Sequence, residues 1–230
     1  MIHTVDLIKE IVDSFDPKTV IKQVSTGVDT VLKVCNLMYI REQSKVKINN
    51  IEYTVKSVDE ENKEITIAGI IPVNPGDYIQ GGTVHYFHGT PIATANQLVQ
   101  IQQVQNKTPL LYLLEVISDR FDEDPESSID RESDMNLFFL DEANFKDWDT
   151  DQHYSGAIKP MSNLATMFKE HLKTSIGIGV IDESTMSYHA KFGLSIRNES
   201  GHLKNLFPET FSGVQLRIKI PFLKSLICDC

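Results

Sequence analysis

The 230-residue sequence lacks the features that define several large protein classes. Cysteine is scarce: Cys35, Cys228 and Cys230 form an odd set, which does not make a disulfide framework and is typical of a reducing cytoplasm. Cys228 and Cys230 are only half of a zinc site, so we expect no metal there. No apolar run approaches the roughly 20 residues of a membrane-spanning helix. We therefore expect no membrane partner.

Clusters of basic residues are missing as well. The chain has 22 Lys and Arg against 32 Asp and Glu, and its formal net charge is −10. Proteins that wrap nucleic acid need clustered Lys and Arg to displace counterions. We therefore expect no specific binding of nucleic acid, whereas an acidic wall lets a DNA duplex slide past without adhering.

No catalytic or cofactor motif is complete. Gly177-Ile178-Gly179 lacks the third glycine of a dinucleotide site. The run Asp147-Trp148-Asp149-Thr150-Asp151 opens like a calcium loop, but Gln152 stands where that loop needs glycine and Ile158 where it needs glutamate. These acids are predicted instead to cap the helix that follows. The chain is therefore predicted not to be an enzyme, and to bind no cofactor and no metal.

What the sequence does have is a hydrophobic content of 41%, enough for one sizeable core, with or without a small satellite. Residues 4–15 carry apolar side chains at helical spacing, and Thr4 is expected to cap this helix. Such a helix packs either on its own domain or on a neighbouring subunit. Asn49-Asn50 joins two alternating segments, 46–48 and 51–55, which predicts a tight hairpin.

The flanking segments complete a small antiparallel β module. A first strand is expected within 31–39, and a polar turn at 59–63 precedes a strand at 64–67. Residues 71–107 are rich in Pro and Gly, which predicts loops, a connector and one strand at 83–88. His85 and His88 would then lie on opposite faces of that strand, which is poor geometry for a metal site.

Residues 108–230 have the pattern of a single larger unit. Strands are predicted at four places, and a helix lies between the second and the third; the strands are 110–117, 134–140, 188–196 and 214–221. The helix covers 158–172 and contains Pro160, which predicts a kink or a first helix that ends near Ile158.

The predicted fold class is α+β. It comprises an antiparallel or mixed β-sheet with one long packed helix, in the order β-β-α-β-β, a small N-terminal β-hairpin module and an N-terminal helix. Three regions are expected: an N-terminal helical segment at 1–28, the β module and connector at 29–107, and an α/β domain at 108–230.

An acidic segment interrupts the larger unit. Residues 119–134 contain eight acidic and two basic side chains, so they contribute −6 of the net charge. Because like charges repel and stay hydrated, a solvated loop is expected. Four of its acids are candidate residues for contact with a partner or for lining a channel, namely Asp122, Glu123, Asp124 and Glu126.

Two blocks of the larger unit carry a resemblance. The sequences PLLYLLEVISDRF (109–121) and SSIDRESDMNLFFLDEANFKDWDTDQHYSGAIKPMSNLATMFKEHL (127–172) resemble segments of tailed-bacteriophage proteins, including crAss-like phages. The predicted element order also resembles that of tail-terminator and head-tail connector proteins. The hairpin module at 46–70 departs from the minimal terminator pattern.

The resemblance implies a structural virion protein that forms a ring of six or twelve copies in the phage neck. The portal and other neck or tail proteins would be its partners, genomic DNA would pass through without specific binding, and assembly would take place in the host cytoplasm. Strand edges at 188–196 or 214–221 would pair between subunits. The N-terminal helix and the hairpin would grip an adjacent ring. The alternatives are an adaptor protein and a metal-dependent hydrolase that uses the acidic segments.

Overall fold

The computed structural model describes residues 3–101, 107–124, 126–144, 146–193, 196–197 and 203–224. The chain forms two compact units. Residues 16–83 make one, hereafter the barrel, and residues 1–15 with 84–230 make the other, hereafter the α+β unit. The sequence-based division placed its boundaries after residues 28 and 107 instead. Cys228 and Cys230 lie outside the described residues.

Six antiparallel strands close the barrel. They are Lys18–Thr26 (β1), Thr30–Val34 (β2), Lys45–Ile48 (β3), Ile51–Asp59 (β4), Glu64–Ile67 (β5) and Tyr78–Gln80 (β6). Around the barrel they follow the order β1-β2-β5-β4-β3-β6, and β6 pairs with β1 to complete the circle. The sequence predicted a hairpin module and missed β1, β6 and the closure.

The predicted hairpin at Asn49-Asn50 is confirmed. Asn49 and Asn50 have φ values of +51° and +65°, the left-handed backbone that a two-residue turn between twisted strands requires. Alternate residues of the strands point inward and are buried: Ile21, Leu32, Val46, Val55, Ile65 and Ile79. Burial of each such side chain stabilises the barrel by about 1.5–3 kcal/mol.

A mixed sheet is the centre of the α+β unit. Its strands are His85–Gly89 (β7), Leu110–Leu114 (β8), Ser118–Phe121 (β9), Ile129–Glu142 (β10), Ser184–Phe192 (β11) and Phe211–Leu223 (β14). The order across the sheet is β11-β14-β10-β8-β7. The short β9 pairs with β10 on the same side as β8, nearer the start of β10. Only β7 and β8 run parallel. Two short strands, Ile196–Arg197 (β12) and Leu203–Lys204 (β13), pair separately.

Helices cover both faces of this sheet. The first helix, Thr4–Ser14 (α1), and the long helix Lys159–Thr174 (α4) pack on one face, where Phe168 contacts Phe139 of β10 and Phe15 just after α1. Because neighbouring strand residues point to opposite faces, Phe138 packs on the other side. There it joins a cluster that includes Leu98 of the helix Pro91–Gln100 (α2).

The α+β class with one long helix and an N-terminal helix is therefore correct, and several details differ. Helix α2 occupies part of the segment predicted to be loops and connector, since Thr90 caps it and Pro91 fits its first turn. Strand β14 pairs on both sides, so 214–221 is not a sheet edge as predicted. Thr4 does not cap α1; His3 stands at the cap position.

The helix irregularity that Pro160 predicted lies just before the proline. A short helix, Thr150–His153 (α3), continues through a π-helical turn, Tyr154–Ile158, into α4. Pro160 is the second residue of α4. Because proline has no N–H, the continuous helix lacks one backbone hydrogen bond there, next to the π-turn. The sequence therefore located the irregularity, and the structure shows that it is a π-turn.

Candidate interaction surfaces

The acidic segment is a β-hairpin at one end of the sheet. Strand β9 pairs antiparallel with residues 131–134 of β10, and only residues 122–128, hereafter the acidic turn, connect them. The predicted solvated loop over 119–134 is therefore wrong for the two strands. Arg120 lies opposite Glu132, and this cross-strand pair of opposite charges offsets the repulsion on which that prediction was based.

The four predicted site residues lie exposed in the acidic turn. An Asp122 carboxylate oxygen accepts a hydrogen bond from the Asp124 N–H (3.1 Å), and an Asp124 carboxylate oxygen accepts one from the Glu126 N–H (2.9 Å). A hydrogen bond from Ser127 is the main cause that lowers the pKa of Asp122, and the Asp124 N–H adds to it. These hydrogen bonds order the turn.

The base of the hairpin is tied to α1. A carboxylate of Asp119 on β9 accepts hydrogen bonds from the hydroxyls of Thr4 (3.2 Å) and Ser133. Thr4 and Ser133 are both buried. Thr4 therefore joins α1 to the sheet of its own unit. The predicted role of α1 as a grip on an adjacent ring is wrong for its apolar face, because the α+β unit itself buries Leu7, Ile8, Ile11 and Val12.

One of the two basic side chains of the hairpin, Arg131, is withdrawn from the surface, whereas Arg120 on β9 is exposed. Arg131 is buried, and its guanidinium lies 5.3 Å from the centre of the Phe222 ring. Asp130 approaches it at 3.7 Å. Other basic groups lie beside the turn: Lys224 Nζ donates to the Asp124 carbonyl at 2.6 Å, and Lys224 and Arg120 help to lower the pKa of Asp122.

The sheet ends in β7 and β11. In the described part of the chain, each of them pairs with a single neighbour, β8 and β14 respectively, and the short β9 pairs only with β10. Strand β11 corresponds to the strand predicted at 188–196, shifted toward the N-terminus. On it Tyr188 is 61% exposed. Exposed backbone N–H and C=O groups on such edges pair readily with another strand.

A buried polar cluster lies where α3 meets the sheet, and sequence reasoning missed it. The Ser212 hydroxyl donates to the Ala190 carbonyl, so His153 Nδ1 is the donor to Ser212 Oγ at 2.9 Å. The Trp148 ring stands edge-on to the imidazole at 5.5 Å. Burial lowers the pKa of His153, Lys191 lowers it further, and Asp149 opposes this shift.

Two of the acids at 147–151 act at a helix start, as predicted: Asp149 caps α3, and Asp151 lies in its first turn. An Asp149 carboxylate oxygen accepts from the Gln152 N–H (2.8 Å), and the Gln152 side chain accepts from the Asp149 N–H (2.9 Å). This reciprocal pair is a capping box. Among the residues that the structure describes, no three His, Cys, Asp or Glu side chains are grouped to hold a metal ion.

The sequence was compared with protein families and with curated proteins. The chain matches no model of a protein family, and no curated protein is similar to it in sequence. Within the described ranges, no helix combines the length and the apolar character needed to cross a membrane.

Proposed function

We propose that this chain is a structural virion protein that forms a ring in the neck of a tailed bacteriophage, where head and tail join. The observation that carries the proposal is the open sheet, which ends in two different strands, β7 and β11. A cyclic ring needs two different faces on each subunit, one for each neighbour. The resemblance of residues 109–121 and 127–172 to tailed-phage proteins supports the same assignment.

Such a subunit works by assembly and not by catalysis. A ring of six or twelve copies docks against the portal on one side and against other neck or tail proteins on the other. It forms in the host cytoplasm and remains in the virion. The closed barrel has no free strand edge among the described residues, so it would contact neighbouring rings through its side chains.

The acidic turn is assigned to the DNA channel in this proposal. Exposed carboxylates repel the phosphate backbone, so a duplex passes without adhering. Glu123→Lys with Glu126→Lys is expected to slow genome ejection, because the new charges attract DNA. Glu60→Lys with Glu61→Lys, on the barrel, changes the net charge equally and is the control. Equal ejection rates for both variants would remove the acidic turn from the channel.

The test of the proposed function is electron microscopy of phage particles that carry a gold-labelled copy of the chain. We expect label at the head-tail junction and a ring of six- or twelve-fold symmetry there. Particles without label, together with a purified protein that stays monomeric, would contradict the proposal and favour an adaptor protein.

A further inference from the structure

The two end strands of the sheet, β7 and β11, carry one charged side chain between them, Lys191, although 23% of the chain is Asp, Glu, Lys or Arg. Strand β7 reads His-Tyr-Phe-His-Gly, and residues 184–190 of β11 read Ser-Thr-Met-Ser-Tyr-His-Ala. Neither stretch contains proline. Proteins use charged side chains, proline or bulges to prevent an exposed strand edge from pairing with another strand. On β11, Lys191 and a bulge occur only at the C-terminal end.

The sheet places its charges elsewhere. On the inner strands β10 and β14, Asp134 pairs with Arg217 at 2.7 Å and Glu132 with Lys219 at 3.3 Å. The short outer strand β9 carries Asp119 and Arg120. The outer strand β9 is therefore charged, whereas β7 and residues 184–190 of β11 carry no charged side chain.

We propose that β11 of one copy pairs with β7 of the next, so that the sheet runs continuously around the ring. This inference rests on the proposed function and names the surfaces that build it. Strands β11, β14, β10 and β8 alternate in direction, and β7 runs parallel to β8. Strands β11 and β7 therefore run in opposite directions, and a second copy set beside the first in the same orientation makes an antiparallel pair.

The register of the sheet shows which residues would meet. One row of partners crosses it: Ser187 faces Gln215, Gln215 faces Phe138, Phe138 faces Tyr112, and Tyr112 faces Phe87. These side chains share a face, because register partners point the same way. Continued into the next copy, the row brings Phe87 of that copy opposite Ser187, with His85 one step along the same face.

Within one chain these two positions are far apart. Four strand spacings separate β11 from β7, which amounts to roughly 19 Å. A cross-link between residues 187 and 85 made by a short reagent therefore joins two chains. Its formation separates head-to-tail pairing from any contact within a single copy.

The test is Ser187→Cys with His85→Cys in a full-length background in which Cys35, Cys228 and Cys230 are serine. A short bifunctional maleimide is added to the assembled protein, and denaturing gels resolve the products. We expect a ladder of covalent oligomers that ends at the number of subunits in the ring. Each single-cysteine variant is the matched control and is expected to remain monomeric on the gel.

The other outcomes identify what has failed. Rings that give no ladder would overturn the β11–β7 contact and leave the ring proposal standing. Covalent dimers from Ser187→Cys alone would show β11 against β11 and would also overturn it. A protein without rings, whose size in solution is that of one chain, would overturn both this contact and the proposed function.

Discussion

The two units of this chain differ in whether their sheet is closed or open and in how much net charge they carry. The barrel closes on itself, and residues 16–83 hold eight basic and nine acidic side chains, so their net charge is −1. The α+β unit ends its sheet in two strands, β7 and β11, that each pair on one side only in the described ranges, and it holds the other 14 basic and 23 acidic side chains, a net charge of −9. Strands with an unpaired edge and most of the net charge are therefore concentrated in one unit.

The chain path explains how two such units share one sequence. The two ends of the barrel are adjacent, because β1 pairs with β6 and the Gly81 N–H donates to the Pro17 carbonyl at 3.1 Å. A segment whose ends meet can stand between α1 and β7 without separating them in space. The α+β unit is therefore continuous in structure although it is divided in sequence.

The largest expected effect comes from charging the open edge. Ser187→Lys with Tyr188→Lys places a cation on each face of β11, and such charges block strand pairing. We expect rings to be replaced by monomers in light scattering coupled to size-exclusion chromatography. Ser25→Lys with Thr26→Lys adds the same charge to exposed positions of β1, in the closed barrel, and is expected to leave assembly unchanged. If both variants assembled equally well, the β11 edge would be no more important for assembly than the surface of the barrel.

Next in size is the loss of packing between α4 and the sheet. Phe168 is fully buried against Phe139 and Phe15. Phe168→Ala is expected to lower the free energy of unfolding by about 3–5 kcal/mol, because it leaves a cavity. Urea denaturation followed by the fluorescence of Trp148, the sole tryptophan, reports on the α+β unit. A loss below about 1 kcal/mol would mean that α4 does not pack on the sheet as described.

The buried His153 predicts a pH dependence of the same unit. Its pKa in the folded chain is lowered from the ordinary 6.5, so below that pH the unfolded chain takes up a proton that the folded chain refuses. Stability is therefore lost as the pH falls, by at most about 1.4 kcal/mol per pH unit. Urea denaturation at about pH 7.5 and about pH 5.5 should show a smaller loss for His153→Gln than for the native chain. Equal losses of stability in the two proteins would mean that His153 does not cause this pH dependence.

The smallest predicted effect concerns the barrel hairpin. Asn50 has a φ of +65°, and a β-branched residue there pays the cost of the left-handed backbone. Asn50→Val is expected to cost about 1–2 kcal/mol, measured by thermal denaturation followed by circular dichroism. Asn50→Gly adopts this backbone freely and should cost little. If both variants lost the same amount of stability, strain in the left-handed backbone would not be the reason for the loss.

Local signals explain what the sequence could predict. The Asn49-Asn50 turn, the cap at Asp149 and the alternation along β14 each depend on neighbouring residues, and all three are present. The barrel closure depends on the pairing of Lys18 with Gln80, which leaves no periodic mark in the sequence.

Two further misses have the same long-range origin, and one has a different cause. The acid content of 119–134 indicated a loop. The hairpin was missed because its cross-strand partners, Arg120 and Glu132, are brought together only when the chain folds. Thr90 and Pro91 did carry a helix-start signal for α2, and the surrounding Pro and Gly content outweighed it. The His153–Ser212 contact joins distant segments and has no sequence signature.

The ring is the central claim, and electron microscopy of the purified chain, averaged without imposed symmetry, tests it most directly. The account predicts closed rings of six or twelve subunits in which adjacent sheets join edge to edge. Particles of the size of a single chain at every protein concentration would contradict it.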